Sequence, residues 1–419
     1  MLNLTKFREL GLSESMIESL RQKGFEEPTP IQAKTIPHII KNQKDLIGKA
    51  QTGTGKTAAF GIPIIENIVP DSGKIQALIL APTRELAIQV SEELNSFCGK
   101  NHTKVIAIYG GQPIERQIQR LRRGVDIVVG TPGRVLDHLK QRTMSISEVS
   151  YIVLDEADEM LNMGFIDDIE AILKMAPKKK RMILFSATMP SHIQNLAKKY
   201  MGEYDLIETK TDQITKDNIQ QIYFEVSQED KFEALFRIID IEDSFYGLVF
   251  CRTKIDADDI AHKLTNRGCR SESLHGDLSQ GQREKILQQF RNKKITVLVA
   301  TDVAARGIDI DDLTHVINYS IPQDPESYVH RIGRTGRAGK TGIAITLVTP
   351  SEYRKLTTIE RVANTTITKQ KIPNIKKVID AKKQKIVKII SDFISSPENL
   401  DLALAEEILN SIKHVCFRS

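Results

Sequence analysis

Short apolar runs separated by polar, helix-patterned stretches recur along the chain. Ile75–Leu80, Val125–Val129, Tyr151–Leu154 and Met182–Phe185 form one series. Gly247–Cys251, Ile295–Ala300, Val316–Tyr319 and Ile343–Val348 form a second. The runs are continuous rather than alternating, which predicts strands buried on both faces. Strand, loop and helix in repeated alternation predict an α/β protein with two parallel sheets, each carrying helices on both faces. The polar stretch Glu203–Asn218 separates the two series. We therefore expect a first domain over 1–207, a linker over 208–218, a second domain over 219–351 and a further segment over 352–419.

Composition narrows the class. The chain has 419 residues, of which 40% are hydrophobic, enough for two or three cores. Its 4 cysteines (Cys98, Cys251, Cys269 and Cys416) contain no C-x-x-C pair, which speaks for reduced thiols rather than a disulfide framework or zinc site. No run approaches the roughly 18 apolar residues of a membrane helix, and Met1–Leu10 lacks a signal-peptide core. A cytoplasmic chain without membrane contact is expected. The formal net charge of +5 is compatible with a nucleic-acid partner.

Two segments carry the chemistry. In Ala50-Gln51-Thr52-Gly53-Thr54-Gly55-Lys56-Thr57, the glycines let backbone N–H groups turn toward phosphate oxygens. The helix that follows points its positive end at the same anion. Lys56 supplies a point charge for the terminal phosphates, and the Thr57 hydroxyl suits Mg2+. Ala50 replaces the first glycine of the strict pattern. Asp155-Glu156-Ala157-Asp158 follows the apolar run Tyr151–Leu154, at the carboxyl end where open α/β sheets bind ligands. There Asp155 suits a magnesium ion and Glu156 the attacking water. Together the segments predict hydrolysis of a nucleoside triphosphate with Mg2+.

Further motifs follow the strands in order. They are Gly24-Phe25-Glu26-Glu27-Pro28-Thr29-Pro30-Ile31-Gln32, Ala81-Pro82-Thr83-Arg84-Glu85-Leu86, Gly130-Thr131-Pro132-Gly133-Arg134 and Ser186-Ala187-Thr188. The second half has Val249-Phe250-Cys251-Arg252-Thr253, His275-Gly276-Asp277, Gln280-Gly281-Gln282-Arg283, Ala300-Thr301-Asp302 running on to Arg306-Gly307-Ile308-Asp309, and His330-Arg331-Ile332-Gly333-Arg334-Thr335-Gly336-Arg337. This ordered set resembles the DEAD-box RNA helicase family over roughly residues 1–350.

The resemblance implies two tandem RecA-like domains, ATP and Mg2+ as cofactors, and RNA, as single strands and short duplexes, as partner. It implies that Gln32 bonds the adenine edge while Phe25 stacks on its ring; plain core packing is the alternative for Phe25. Gln51, Thr52, Gly53, Thr54, Gly55, Lys56 and Thr57 would cradle the phosphates, and Asp309 would reach the ribose. Asp155 and Glu156 would be catalytic, with Arg334 and Arg337 as arginine fingers. Ser186, Thr188, Asp158 and His330 would couple hydrolysis to domain movement. RNA would be held by Arg84, Gly111, Thr131 and Arg134 from one domain and by Arg252, Thr301 and Arg306 from the other. Only 5% of residues are aromatic, so base stacking is not expected to dominate and binding should be largely sequence-independent. An RNA clamp with little unwinding, or a DNA translocase on the same engine, stays open at this point.

Past residue 350, Ile375, Val378, Ile379, Ile386, Ile389, Ile390, Phe393 and Ile394 recur at helical spacing among lysines. A second helix is expected from about Glu398 to Lys413, with Leu400, Leu404, Ile408 and Ile412 on one side. This basic helical extension resembles that of bacterial cold-shock members, which implies homodimerisation; packing on the second domain is the alternative. The same resemblance implies work in ribosome assembly, RNA turnover or cold adaptation, with ribosomal-precursor or RNA-degradation partners.

Overall fold

The computed structural model describes residues 4–42, 44–50, 53–99, 103–209, 218–242, 244–305, 310, 313–336, 340–374 and the positions 379, 380, 383 and 387. Gln51, Thr52, Arg306, Asp309 and Arg337 lie outside the described residues, as do most of the expected linker and nearly all of the two C-terminal helices.

The first sheet contains β1 (Asp45–Lys49), β2 (Ala77–Leu80), β3 (Val105–Ile108), β4 (Ile127–Gly130), β5 (Tyr151–Leu154), β6 (Arg181–Ser186) and β7 (Tyr204–Glu208). Their order across the sheet is β3-β4-β2-β5-β6-β1-β7, and every pairing is parallel. Side chains alternate between two cores. Ile79, Val153, Ile183 and Phe185 join the cluster on one face, while Leu78, Leu80, Ile152, Leu154 and Leu184 join the other. Both faces are therefore apolar, as the unbroken hydrophobic runs require.

The second sheet contains β8 (Ile219–Glu225), β9 (Gly247–Cys251), β10 (Ser271–Leu274), β11 (Val297–Thr301), β12 (His315–Asn318), β13 (Gly342–Val348) and β14 (Thr368–Gln370). Its order, β10-β11-β9-β12-β13-β8-β14, repeats the first sheet strand for strand. The duplication also shows what stands in the second half where the first has its phosphate loop. Lys56 opens the helix after β1, and Lys231 opens the helix after β8. Lys231 is buried and its Nζ is ion-paired with Glu352 Oε2 at 3.1 Å, so a carboxylate of the chain itself meets that ammonium.

One expectation needs correction. Residues 353–370 do not belong to a separate extension. The helix Tyr353–Ala363 buries Leu356 and Ile359 in a cluster with Tyr328 and Ile332. β14 then pairs with β8 and completes the second sheet. Burial of two apolar side chains decides this, because exposing Leu356 and Ile359 would cost roughly 1.5–3 kcal/mol each.

Candidate active site

The phosphate loop is held from outside by a cap. Thr29 caps the helix Pro30–Lys41, with Gln32 completing a reciprocal capping box. The Thr29 hydroxyl donates to the Thr54 carbonyl at 2.9 Å, and Gln32 Nε2 donates to the Gly55 carbonyl at 3.1 Å. Gln32 Oε1 accepts from the Thr29 N–H at 3.0 Å. Gly53 and Gly55 both have positive φ, +81° and +83°, which other residues adopt only under strain. A β-carbon at Gly55 would lie 2.3 Å from Gln32 Nε2. Phe25 packs edge-on between Phe7 and Phe97, at 6.0 and 5.9 Å between ring centres.

Lys56 and Asp155 meet in the core of the site. Lys56 Nζ lies 3.8 Å from Asp155 Oδ1, and both side chains are almost wholly buried. Burial pushes the Asp155 carboxyl up to about 6 even against the Lys56 charge, with Glu156 and Asp158 adding to the rise. Glu156, Asp158 and Glu159 are buried beside it. Glu156 has left-handed backbone angles, φ 51° and ψ 51°, a conformation costing about 1–3 kcal/mol for a non-glycine residue. Its N–H donates to Asp155 Oδ1 at 3.0 Å. Asp158 Oδ2 accepts from the Ala187 N–H (3.1 Å), the Thr188 N–H (2.9 Å) and the Thr188 hydroxyl (2.9 Å). Ser186 Oγ donates to the Thr188 carbonyl at 2.6 Å. The acidic quartet and the Ser186-Ala187-Thr188 turn are thus one hydrogen-bonded unit at the carboxyl ends of β5 and β6.

The second sheet's domain contributes directly. His330 Nδ1 lies 2.7 Å from Glu159 Oε1, and its Nε2 lies 3.8 Å from Asp158 Oδ2. Burial favours the neutral imidazole, but the Glu159 hydrogen bond and the charges of Glu159, Asp158 and Glu156 outweigh it and raise the His330 pKa. Arg334 is buried and lines the same small cleft as Glu159 and His330. Arg331, one residue past the histidine, faces inward instead. It makes a bidentate pair with Asp302 at 2.6 and 2.7 Å and donates to Asn318 Oδ1 and the Ser320 carbonyl.

A second group of candidates lines the same edge of the first sheet. The Arg84 guanidinium lies against the Gly110-Gly111 turn, where a β-carbon on Gly111 (φ +84°) would stand 2.0 Å from Arg84 Nη1. Arg134 Nη1 donates to the Gln112 carbonyl at 3.1 Å. Thr131 precedes the helix Pro132–Lys140 that carries Arg134. From the second sheet, Arg252 is exposed just past β9 and Thr301 ends β11.

Residues 29–196 match the DEAD/DEAH box helicase family, and residues 230–339 match the helicase conserved C-terminal domain. The DEAD-box ATP-dependent RNA helicase CshA of Geobacillus kaustophilus is 50% identical over 408 residues, covering 97% of this chain and 87% of that one. This chain belongs to the DEAD-box ATP-dependent RNA helicases. Among solved structures, this helicase is similar to Saccharomyces cerevisiae Dbp5 bound to RNA and ADP-BeF3, at 32% identity, a TM-score of 0.80 and coverage of 90% and 99% of the two chains. A DEAD-box protein from Methanococcus jannaschii is 52% identical but gives a TM-score of only 0.52, over 87% and 98%.

One cross-domain contact of the helicase was not read from its sequence. Arg283 Nε donates to Glu85 Oε1 at 2.9 Å, and both side chains are largely buried. Arg283 also donates to the His275 carbonyl (3.4 Å) and the Ala304 carbonyl (3.3 Å). Both residues sit inside quoted motifs, yet partners 198 positions apart leave no local pattern. No helix among the described residues is long and apolar enough to cross a membrane.

Proposed function

We propose that this helicase binds ATP in the loop before the helix Lys56–Asn67, binds RNA across both domains, and hydrolyses ATP only when the two domains are closed. The observation that carries this reading is the arrival of His330 from the second domain at Asp158 and Glu159 of the first, with Arg334 lining the same cleft as Glu159. The ordering of the TM-scores supports it. A chain with lower identity but bound to RNA and a phosphate mimic is the better overlay, as expected if domain placement rather than sequence sets the score.

In this reading, Lys56 and the loop N–H groups hold the phosphates. Glu156 orients the attacking water and takes its proton, and Arg334, with Arg337, balances the charge that develops on the transferred group. No cluster of three or more metal-ligating side chains stands ready among the described residues, and Mg2+ is commonly held by one or two carboxylates together with the substrate's phosphates. Thr57 and Asp155 would hold Mg2+, which would neutralise phosphate charge when bound. Gln32 and Phe25 would serve the adenine, and Asp309 the ribose. Arg84, Gly111, Thr131, Arg134, Arg252, Thr301 and Arg306 suit backbone phosphates by their charged forks, hydroxyls and close-approach glycine. Ser186, Thr188 and Asp158 would transmit the nucleotide state to His330. Work on ribosomal or decaying RNA in a bacterial cytoplasm is part of the proposal, carried by the resemblance to the cold-shock members alone. The direct test is ATPase rate and short-duplex separation with and without RNA; an ATPase indifferent to RNA sinks the reading.

The Glu85–Arg283 pair should latch the closed state. Truncating one partner of a buried cross-interface pair costs about 2–5 kcal/mol. Arg283→Ala should therefore lower RNA affinity in the presence of an ATP analogue by at least about 30-fold while nucleotide binding alone holds. Wild-type affinity in that titration would remove the latch.

His330 makes closure pH-dependent. Its pKa is raised in the closed form, so its stabilisation is full below the ordinary imidazole value and is lost as pH rises through the raised one. The closed RNA complex should weaken across that alkaline limb, and His330→Gln should flatten the profile. A slope that survives in His330→Gln assigns the effect elsewhere.

For the tail, we propose a homodimer formed by the helices expected past residue 375. A chain ending at Asn374 keeps β14 and should be a monomer by light scattering, with the full chain a dimer. Equal masses would reject the dimer.

A further inference from the structure

The helix Ile114–Arg122 follows directly from the turn on which Arg84 and Arg134 converge. Its one buried residue is Gln117. Gln117 Nε2 donates to the Tyr109 carbonyl at 2.8 Å. Its Oε1 accepts from Arg134 Nη1 at 3.4 Å and faces His138 Nε2 at 3.1 Å. This amide, with Leu121 packed against the core beneath the sheet, fixes the rotation of the helix and ties it to the candidate RNA ground. With Gln117 inward, Arg116, Arg120 and Arg123 fall on one flank, at i, i+4 and i+7.

All three arginines are exposed, and none is ion-paired among the described residues. Burial and the Glu284 carboxylate push the Tyr109 hydroxyl up, and the charges of Arg120 and Arg84 oppose them, so Arg120 lies within electrostatic reach of the Arg84 side of the turn. Its length is about 10 Å, from seven residues at 1.5 Å each. Three like charges in a row repel one another, and an anionic backbone alongside relieves that repulsion. Guanidinium forks suit phosphates bidentately.

We propose that Arg116, Arg120 and Arg123 form a second phosphate track, holding the RNA backbone beyond the segment gripped by Arg84, Gly111 and Arg134. The proposal rests on the RNA reading of that first segment. It makes affinity depend on RNA length, because only a strand that runs past the turn reaches the stripe. An acidic protein partner is the competing occupant.

The test compares the full chain with its Arg116→Ala/Arg120→Ala/Arg123→Ala variant on two single-stranded RNAs, of roughly six and roughly twenty nucleotides. Binding is titrated over salt with an ATP analogue present. Three lost phosphate contacts should reduce the log–log salt slope for the long RNA by about 2 and its affinity by about 10-fold. The short RNA should bind both proteins within about two-fold, and the triple lysine variant should restore the slope. Unchanged long-RNA affinity overturns the proposal and leaves the stripe to an acidic partner. Equal losses on both RNAs also overturn it, because they mean a disturbed turn. Wild-type protein that binds neither RNA defeats the underlying reading as well, and that outcome is distinct from the other two.

Discussion

Glu156→Gln should hydrolyse ATP about 10²–10⁴-fold more slowly than the wild type, the range lost when a positioned general base is removed. ATP and RNA should still bind. The substitution keeps the side-chain shape and one oxygen, so the left-handed backbone at this position, held by the Glu156 N–H to Asp155 Oδ1 bond, has no new reason to move. It also removes one negative charge from a buried group that contains Asp155, Asp158 and Glu159. Like charges in a low-dielectric site repel strongly, so the variant should melt at a higher temperature than the wild type. With turnover blocked, the closed RNA complex should persist, visible as a slow RNA off-rate in ATP. Hydrolysis within a few-fold of wild type would falsify the assignment of Glu156, and a lower melting temperature would point to a structural role instead.

Arg334→Lys should reduce RNA-stimulated turnover by about 10³-fold or more, the scale of an arginine finger. Lysine keeps the charge but loses the planar fork that pairs bidentately with phosphate oxygens. Arg334 belongs to the second domain and is buried at the junction cleft, so nucleotide affinity in the absence of RNA should not change. Steady-state kinetics on the variant separate the two cases. A fall in kcat with unchanged ATP binding supports the finger; parallel losses in both mean that Arg334 holds the junction together.

The central strands were legible because their runs are unbroken. β5 and β9 begin and end where the hydrophobic pattern does, and β2 and β4 start two residues later than the pattern suggests. Of the strands that escaped notice, β3 (Val105–Ile108) carries an unbroken apolar run and could have been read, whereas β1, β10 and β14 lack that signal for a physical reason. β1 is flanked by polar residues and contains Gly48, whose missing side chain makes room for the Phe185 ring; a β-carbon there would stand 2.3 Å from it. Asp45 is buried in the same strand, accepting from the Met182 and Gly202 N–H groups. β10 reads Ser271-Glu272-Ser273-Leu274, and β14 is three exposed polar residues on the sheet edge. Edge strands bury little, so they need little hydrophobicity.

The site was more legible than its assembly. Lys56, Asp155 and the Asp158–Thr188 network came together as their motifs suggested, because short loops at strand ends leave little freedom. Glu85–Arg283 needed the relative placement of two domains, which no short pattern encodes.

The sheet order also governs how the chain must be made. In each domain the first strand lies between the last two, β1 between β6 and β7 and β8 between β13 and β14. On the ribosome, β1 emerges long before either neighbour. At about 5–20 residues per second, more than a hundred residues must be synthesised first, a wait of several seconds to some tens of seconds. Throughout it, the apolar helix Lys56–Asn67 lacks the Ile183 and Phe185 side chains of β6 that complete its cluster. A nascent first domain should therefore keep part of its apolar surface exposed until its last strands leave the exit tunnel. Because β1 lies between the last two strands to be made, the site at its end is expected to form late, and ATP to have little part in the domain's early folding.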